Sequence, residues 1–320
     1  RGSTATPGTV KGLFAVHSEL CSMPMTRLVE PAVELARNGV ALNAFQAYIF
    51  DIIQAIYLYD NDTRKVYASE NNERLLEQGE ILKQPEFADC LQELAREGEK
   101  FFYQGTIADK VSRLCAEAGG HLDKDDFSRY RVIKRTPLSI KYRHASLLTN
   151  PPPSSGGTLI AFALKLLQEI RVSAYRYGTA EYLDLLATVL GMTNKARIDT
   201  YLDSSKHHPG ELLLNPEYLA AYLAEVRGRA VCSRGTTHMS VMDAKGNIAS
   251  LTTSNGEGCG LLAPGTGIML NNMLGEEDLN PHGFNQWEPN QRMTSMMAPC
   301  IVFLPEGDRI ALGSGGSNRL

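Results

Sequence analysis

The chain has 320 residues with 32 Lys and Arg against 36 Asp and Glu, a formal charge of −4. That length can bury a substantial core, as one large domain or two smaller ones. The mildly acidic balance argues against nucleic-acid binding or a polybasic membrane role, and no apolar run approaches the roughly 20 residues of a membrane-spanning helix. The six cysteines, Cys21, Cys90, Cys115, Cys232, Cys259 and Cys300, contain no Cys-x-x-Cys pair. This excludes zinc-ribbon spacing and does not form a disulfide framework, so they read as small buried hydrophobes. Of the seven histidines only His207 and His208 are adjacent, ahead of Pro209-Gly210 in what reads as a loop. No metal site and no cofactor are expected.

Residues 7–128 read as mostly helical. The stretch 25–38 carries Leu28, Val29, Ala32, Val33 and Leu35 at helical spacing and stops at Gly39. Residues 44–59 are apolar around much of their circumference, which predicts a buried helix. A charged, more exposed segment over 70–83 follows, then amphipathic segments over 85–98 and 107–119. Residues 131–149 alternate as a strand pair, 138–142 and 145–148. Next come Pro151-Pro152-Pro153-Ser154-Ser155-Gly156-Gly157, where fixed prolines meet small flexible residues before a helix beginning near Thr158. Backbone amides at such a helix start can receive an anion; the plainer alternative is a tight, packed turn. Helices are predicted over 158–169, 179–190 and 216–226, followed by a short, polar, partly basic segment over 227–234.

The stretch that carries chemistry begins at Gly235. Thr236-Thr237-His238-Met239-Ser240-Val241-Met242-Asp243 and Ile248-Ala249-Ser250-Leu251-Thr252-Thr253-Ser254-Asn255 alternate with period two and flank a polar turn with Gly246 and Asn247. This predicts a β-hairpin. A threonine hydroxyl is a weak nucleophile and needs a base; at a free chain terminus the α-amine, with a reference pKa of about 7.7–8.0, can be that base. Gly235 carries no side chain to obstruct attack on its carbonyl. From the residues alone, either Thr236 or Thr237 can fill the role, and two threonines at a strand start also fit plain β-propensity.

The Thr-Thr-His-x-Ser-Val-x-Asp-x-x-Gly-Asn run resembles the start of the small subunit of γ-glutamyltransferases, which cut their own precursor before the first Thr. Three further stretches resemble the same family in the same order: Pro7-Gly8-Thr9-Val10-Lys11-Gly12-Leu13, Pro151 to Gly157, and Gly313-Ser314-Gly315-Gly316-Ser317-Asn318-Arg319. The helical pattern Pro31-Ala32-Val33-Glu34-Leu35-Ala36-Arg37-Asn38-Gly39 also fits. The resemblance implies an α/β four-layer αββα sandwich of the N-terminal-nucleophile class, with the hairpin on a central sheet. It divides the chain into a large-subunit part, 1–235, and a small-subunit part, 236–320, of one structural domain. The linker before Thr236 is shorter than is usual in the family. Family members extend beyond both ends of the matched region, so the chain is expected to be an interior piece, and the family is mostly periplasmic, extracellular or membrane-anchored.

The resemblance also assigns roles. Thr236 is the expected nucleophile, and the backbone amides of Gly316 and Ser317 are the expected oxyanion donors. Ser254 and Asn255, with Thr253 as the alternative if the register slips by one, close the hairpin where the family binds substrate. Asn271-Asn272 with Glu276 and Glu277 resembles the stretch that holds the α-ammonium of a γ-glutamyl group. Ser295 matches the first of two serines that contact its α-carboxylate, and Met296 stands where the second would be. An arginine upstream of Pro7 completes that subsite in the family and falls outside this chain. The expected activity is γ-glutamyl hydrolysis or transfer from glutathione-like donors to water, an amino acid or a peptide. Two alternatives stand beside it: an amidase of the same fold (a cephalosporin acylase or poly-γ-glutamate-processing type), and an unprocessed, non-catalytic homologue.

Overall fold

The structure is a computed structural model and describes residues 2–69, 71, 73–201, 213–223, 236–280 and 283–315. The linker at 227–234, Gly235, His207-His208, Cys232, Gly316 and Ser317 therefore lie outside the described residues. The chain groups into two compact units, Arg1–Ile133 with Asn255–Glu276, and Lys134–Ser254 with Glu277–Leu320.

The first unit is helical: α1 (Thr9–Leu20), α2 (Met25–Asn38), β1 (Val40–Ala41), α3 (Ala44–Ile52), α4 (Gln54–Tyr57), α5 (Asn61–Tyr67), β2 (Ile81–Leu82), α6 (Pro85–Glu97), α7 (Glu99–Tyr103), α8 (Thr106–Glu117) and α9 (Lys124–Arg129). Helix α2 ends as its sequence predicts: Gly39 takes φ +92° and donates its amide to the Leu35 carbonyl. It packs along α6, with Arg37 bridging to Asp89 at 2.7 Å. Phe102, Tyr103, Val111, Phe127 and Leu270 form the centre of the core, each exposed by 2% or less. The segment Pro7 to Gly12 is anchored onto this core. Lys11 is buried, donates to the Tyr130 carbonyl at 3.0 Å and lies 4.6 Å above the Tyr103 ring, while Tyr103 donates to the Pro7 carbonyl at 2.6 Å. A buried ammonium is tolerated only when compensated in this way.

Two expectations in this unit need correction. Residues 44–59 do not form one buried helix. Asn43 and Gln46 close a capping box that starts α3, the helix stops at Ile52, and α4 follows after Ile53. Phe45 is 70% exposed and Tyr48 60%, whereas Phe50 is buried against Tyr57 and Tyr67, ring centroids 5.2 and 5.8 Å away. An apolar circumference buries only the face that finds neighbours. Residues 70–83 are not helical where described. Ser69 donates its amide to the Arg74 carbonyl, Ala68 bridges to Leu75, Gly79 takes φ +87°, and β2 pairs antiparallel with β1. Arg74 holds Glu80 through both guanidinium nitrogens, at 2.7 and 3.0 Å, and draws its carboxyl pKa down to about 2.

The second unit contains β3 (Leu138–Tyr142), β4 (Ala145–Thr149), α10 (Ser155–Gln168), α11 (Ala180–Tyr201), α12 (Pro216–Leu223), β5 (Thr237–Met242), β6 (Ile248–Thr253), β7 (Cys300–Phe303) and β8 (Arg309–Leu312). An antiparallel sheet has the order β3-β4-β7-β8. Ile140, Leu147, Ala161, Ala298 and Cys300 join α10 to it, and Phe162, Leu166, Val189 and Ala196 join α10 to α11. Helix α10 starts three residues before the predicted Thr158, and α11 runs on past 190. Gly191 does not stop α11, because Val189, Met192 and Ala196 on either side are buried against its neighbours.

The hairpin forms as predicted, with Thr237 opposite Thr253, Met239 opposite Leu251 and Val241 opposite Ala249. Among the described residues β5 and β6 pair with each other alone. They meet β8 through side chains: Ser250 Oγ donates to the Leu312 carbonyl at 3.4 Å, and Arg309 donates to the Gly246 carbonyl at 2.9 Å. The five described cysteines are free. Cys90, Cys115 and Cys300 are buried as small hydrophobes, and burial pushes the Cys90 thiol up to about 11.

Candidate active site

Period-two geometry puts Thr236, His238 and Ser240 on one face of the first strand and Thr237, Met239 and Val241 on the other. The two candidate threonines are thereby separated. Thr236 is half-buried and donates from Oγ1 to Ser254 Oγ at 3.5 Å, whereas Thr237 is exposed. Thr253 sits directly opposite Thr237, so it belongs to the Thr237 face. Of the two hydroxyls left open by the sequence, Ser254 is the one beside Thr236.

The glycine stretch reaches the same face. A Cβ placed on Gly315 would lie 2.3 Å from the Thr236 carbonyl oxygen, and one on Gly313 would lie 2.2 Å from Cε1 of His238. Gly316 and Ser317, the expected oxyanion donors, follow directly in sequence. His238 itself is held at both ring nitrogens, Nδ1 to Thr252 Oγ1 at 2.9 Å and Nε2 to Ser240 Oγ at 2.8 Å. Sequence reasoning passed over His238, Ser240 and Thr252. The signal was present: strand alternation places His238 and Ser240 on the face of Thr236.

Ser295 is brought to the start of α10. It forms a parallel bridge with Ser154, its carbonyl receives the amides of Ser155 at 2.9 Å and Gly156 at 3.4 Å, and Ser154 Oγ donates to the Met297 carbonyl at 2.6 Å. The chain's own carbonyl thus occupies the helix start that the sequence left open to an anion, and the packed-turn reading holds there. Close approach accounts for the glycines: a Cβ on Gly156 would lie 2.1 Å from the Met296 carbonyl oxygen, and one on Gly157 2.0 Å from that of Asn150. Ser155 Oγ also reaches the Met296 thioether at 3.1 Å.

The remaining candidates fall in the first unit, apart from Glu277. Gly256, at φ +67°, lies against Asn272 and Glu276; a Cβ there would be 1.9 Å from Asn272 Oδ1 and 2.4 Å from Glu276 Oε1. The exposed Asn255 precedes it and receives the Asn272 amide on its carbonyl at 3.1 Å. Asn272 Oδ1 accepts the Glu257 amide at 3.1 Å. Asn271 is spent on scaffold, exchanging bonds of 3.0 and 2.9 Å with the backbone of Ala5. Glu276 is therefore grouped with Asn255 and Asn272, while Glu277 is exposed at the head of a 3-10 turn, Glu277–Leu279, in the second unit. Among the described residues no three His, Cys, Asp or Glu converge as metal ligands.

The family model described as Gamma-glutamyltranspeptidase matches residues 1–320. The chain belongs to the gamma-glutamyltranspeptidase family. It is 30% identical over 355 residues to the glutathione hydrolase proenzyme of Escherichia coli (strain K12), covering 99% of this chain and 59% of that protein. It is 27% identical to the acylase ACY 1 proenzyme of Pseudomonas sp. (strain V22), again covering 99% of this chain and 59% of that one. The solved cephalosporin acylase of Bacillus halodurans is similar with a TM-score of 0.78 at 22% identity, covering 95% of this chain and 58% of that one. The fold is accordingly the αββα sandwich class of the N-terminal-nucleophile hydrolases. The chain spans a little under three fifths of the length of these relatives.

Proposed function

We propose that the chain carries the acyl-transfer centre of a γ-glutamyl hydrolase or transferase acting on glutathione-like amides, with Thr236 as nucleophile. The observation that carries this reading is the position of Thr236 at the head of β5, its hydroxyl toward Ser254 and its carbonyl against Gly315. In the precursor, Thr236 Oγ attacks the Gly235 carbonyl, the peptide bond is exchanged for an ester, and water releases Thr236 with a free amine. Residues 1–235 and 236–320 then belong to the large and small subunits. The α-amine takes the hydroxyl proton as Oγ attacks the γ-carbonyl, hands it to the leaving amine, and a water or amino acceptor clears the acyl group. The amides of Gly316 and Ser317 would meet the charge developing on the carbonyl oxygen. Asn255 and Glu276 are the proposed holders of the α-ammonium, and Ser295 is the proposed holder of the α-carboxylate.

In the full-length protein, Thr236→Ala is expected to remain one uncut chain by intact mass and to lose γ-glutamyl anilide hydrolysis by roughly a thousandfold or more. Wild-type protein should yield a piece whose N-terminal sequence starts at Thr236. An alanine variant that still turned over would remove the reading.

Met296 favours a second reading, a related amidase. A thioether engaged by Ser155 stands where a second serine would donate to a carboxylate, so Met296 suits an acyl group without one. Faster cleavage of a butyryl anilide, whose acyl group carries no carboxylate, than of a γ-glutamyl anilide would select the amidase; the reverse order would select the γ-glutamyl enzyme.

A further inference from the structure

We propose that His238 is a positioning residue whose imidazole sets how closely the 313–315 stretch approaches Thr236. The inference rests on the reading of Thr236 as nucleophile. The ring is fixed at both ends, by Thr252 at 2.9 Å and Ser240 at 2.8 Å. Hydroxyls donate or accept equally well, so either tautomer of the neutral ring satisfies both contacts. Against this fixed ring lies Gly313, so near that a Cβ would fall 2.2 Å from Cε1 and 2.3 Å from Nδ1. Two residues on, Gly315 lies against the Thr236 carbonyl, where a Cβ would fall 2.3 Å from the oxygen.

The two contacts form a matched pair. Thr236 and His238 are two apart on one face of a strand, and Gly315 and Gly313 are two apart in a segment running the opposite way. Neither glycine takes the left-handed φ that would itself demand glycine. Space excludes a side chain at both positions, and at Gly313 the space is set by His238. The chain continues from Gly315 straight into Gly316 and Ser317, so a displacement at the His238 contact is passed along the backbone toward the proposed oxyanion donors. An oxyanion donor acts on the transition state and is worth about a hundredfold to a thousandfold in kcat. Misplacing it lowers kcat and leaves KM nearly unchanged.

The test is a reciprocal size swap in the full-length protein, measuring kcat, KM and thermal melting for His238→Ala, Gly313→Ala and the double variant. Each single change is expected to lower kcat about 10- to 100-fold with KM within about twofold. The double variant, in which the new methyl enters space vacated by the ring, should recover at least about tenfold over Gly313→Ala. If His238→Ala does not fold, His238→Ser, which is smaller but keeps a hydrogen-bonding group, paired with Gly313→Ala supplies the same cycle. Multiplicative losses in the double variant would overturn the inference, as would kcat and KM changing together with the melting temperature. Thr236→Ala serves as the control: if it retained turnover, the nucleophile reading would fall and take the inference with it. Multiplicative losses beside an inactive Thr236→Ala would remove the inference alone.

Discussion

Two glycine-bearing turns of this chain, 154–157 and 313–315, look alike in sequence and differ in what fills them. At the first, the Ser295 carbonyl receives the amides of Ser155 and Gly156, and both glycines are buried under the backbone carbonyls of Met296 and Asn150. That turn closes on the protein itself. At the second, the exposed glycines lie against the Thr236 carbonyl and the His238 ring, on the face that carries the proposed nucleophile. Small residues signal close approach in both cases, before a helix at the first and after a strand at the second. What approaches, a structural carbonyl or a reacting group, is decided by the tertiary partner.

The same substitution should therefore read out differently at the two turns. Gly157→Ala drives a methyl to 2.0 Å from the Asn150 oxygen in a buried helix start and is expected to cost about 3 kcal/mol or more of stability, seen as a large loss in thermal unfolding or of soluble protein. Gly315→Ala should leave the melting temperature within a few degrees while lowering kcat about 10- to 100-fold. Equal stability losses at both positions would erase the distinction. Ser154→Ala removes the hydroxyl that reaches the Met297 carbonyl at 2.6 Å and should cost about 1–2 kcal/mol in chemical denaturation.

Much of this could be read from the sequence, for identifiable reasons. Helix α2 and the strands β3, β4, β5 and β6 follow patterns fixed by local periodicity and by Gly39 or Asp243 at their ends, and they appear where predicted. The αββα class was implied by the family resemblance that four motifs in order carry. The errors arose where burial depends on a distant partner. Residues 44–59 carry apolar side chains all round, yet only Phe50 is covered, by Tyr57 and Tyr67. Residues 70–83 have helix-compatible composition and are held as turn and strand by the Arg74–Glu80 pair and by pairing of β2 with β1. At the site, Ser295 could be matched by motif, but its engagement with Ser154 across more than a hundred residues could not. Neither could the contact of Gly313 with His238.

The smallest effect expected concerns the turn that sets the hairpin register. Asp243 accepts the Asn247 side-chain amide and the Lys245 and Asn247 backbone amides, each at 2.8 Å. These bonds, that from the Asn247 side chain first, lower its pKa below the ordinary value. A carboxyl whose pKa is lower folded than unfolded adds stability above the unfolded value of about 3.9, and that stability is lost as pH falls through the folded pKa. Wild type should melt slightly above Asp243→Asn at pH 6, and the gap should close between about pH 4 and the lowered folded value. A gap constant to pH 2 would mean that shape, not charge, holds the turn. The consequence for the site is one of register, because a one-residue slip reverses every side chain of a strand. It would bring Thr253 in place of Ser254 to Thr236, so a turn at the far end of the hairpin decides which hydroxyl meets the nucleophile.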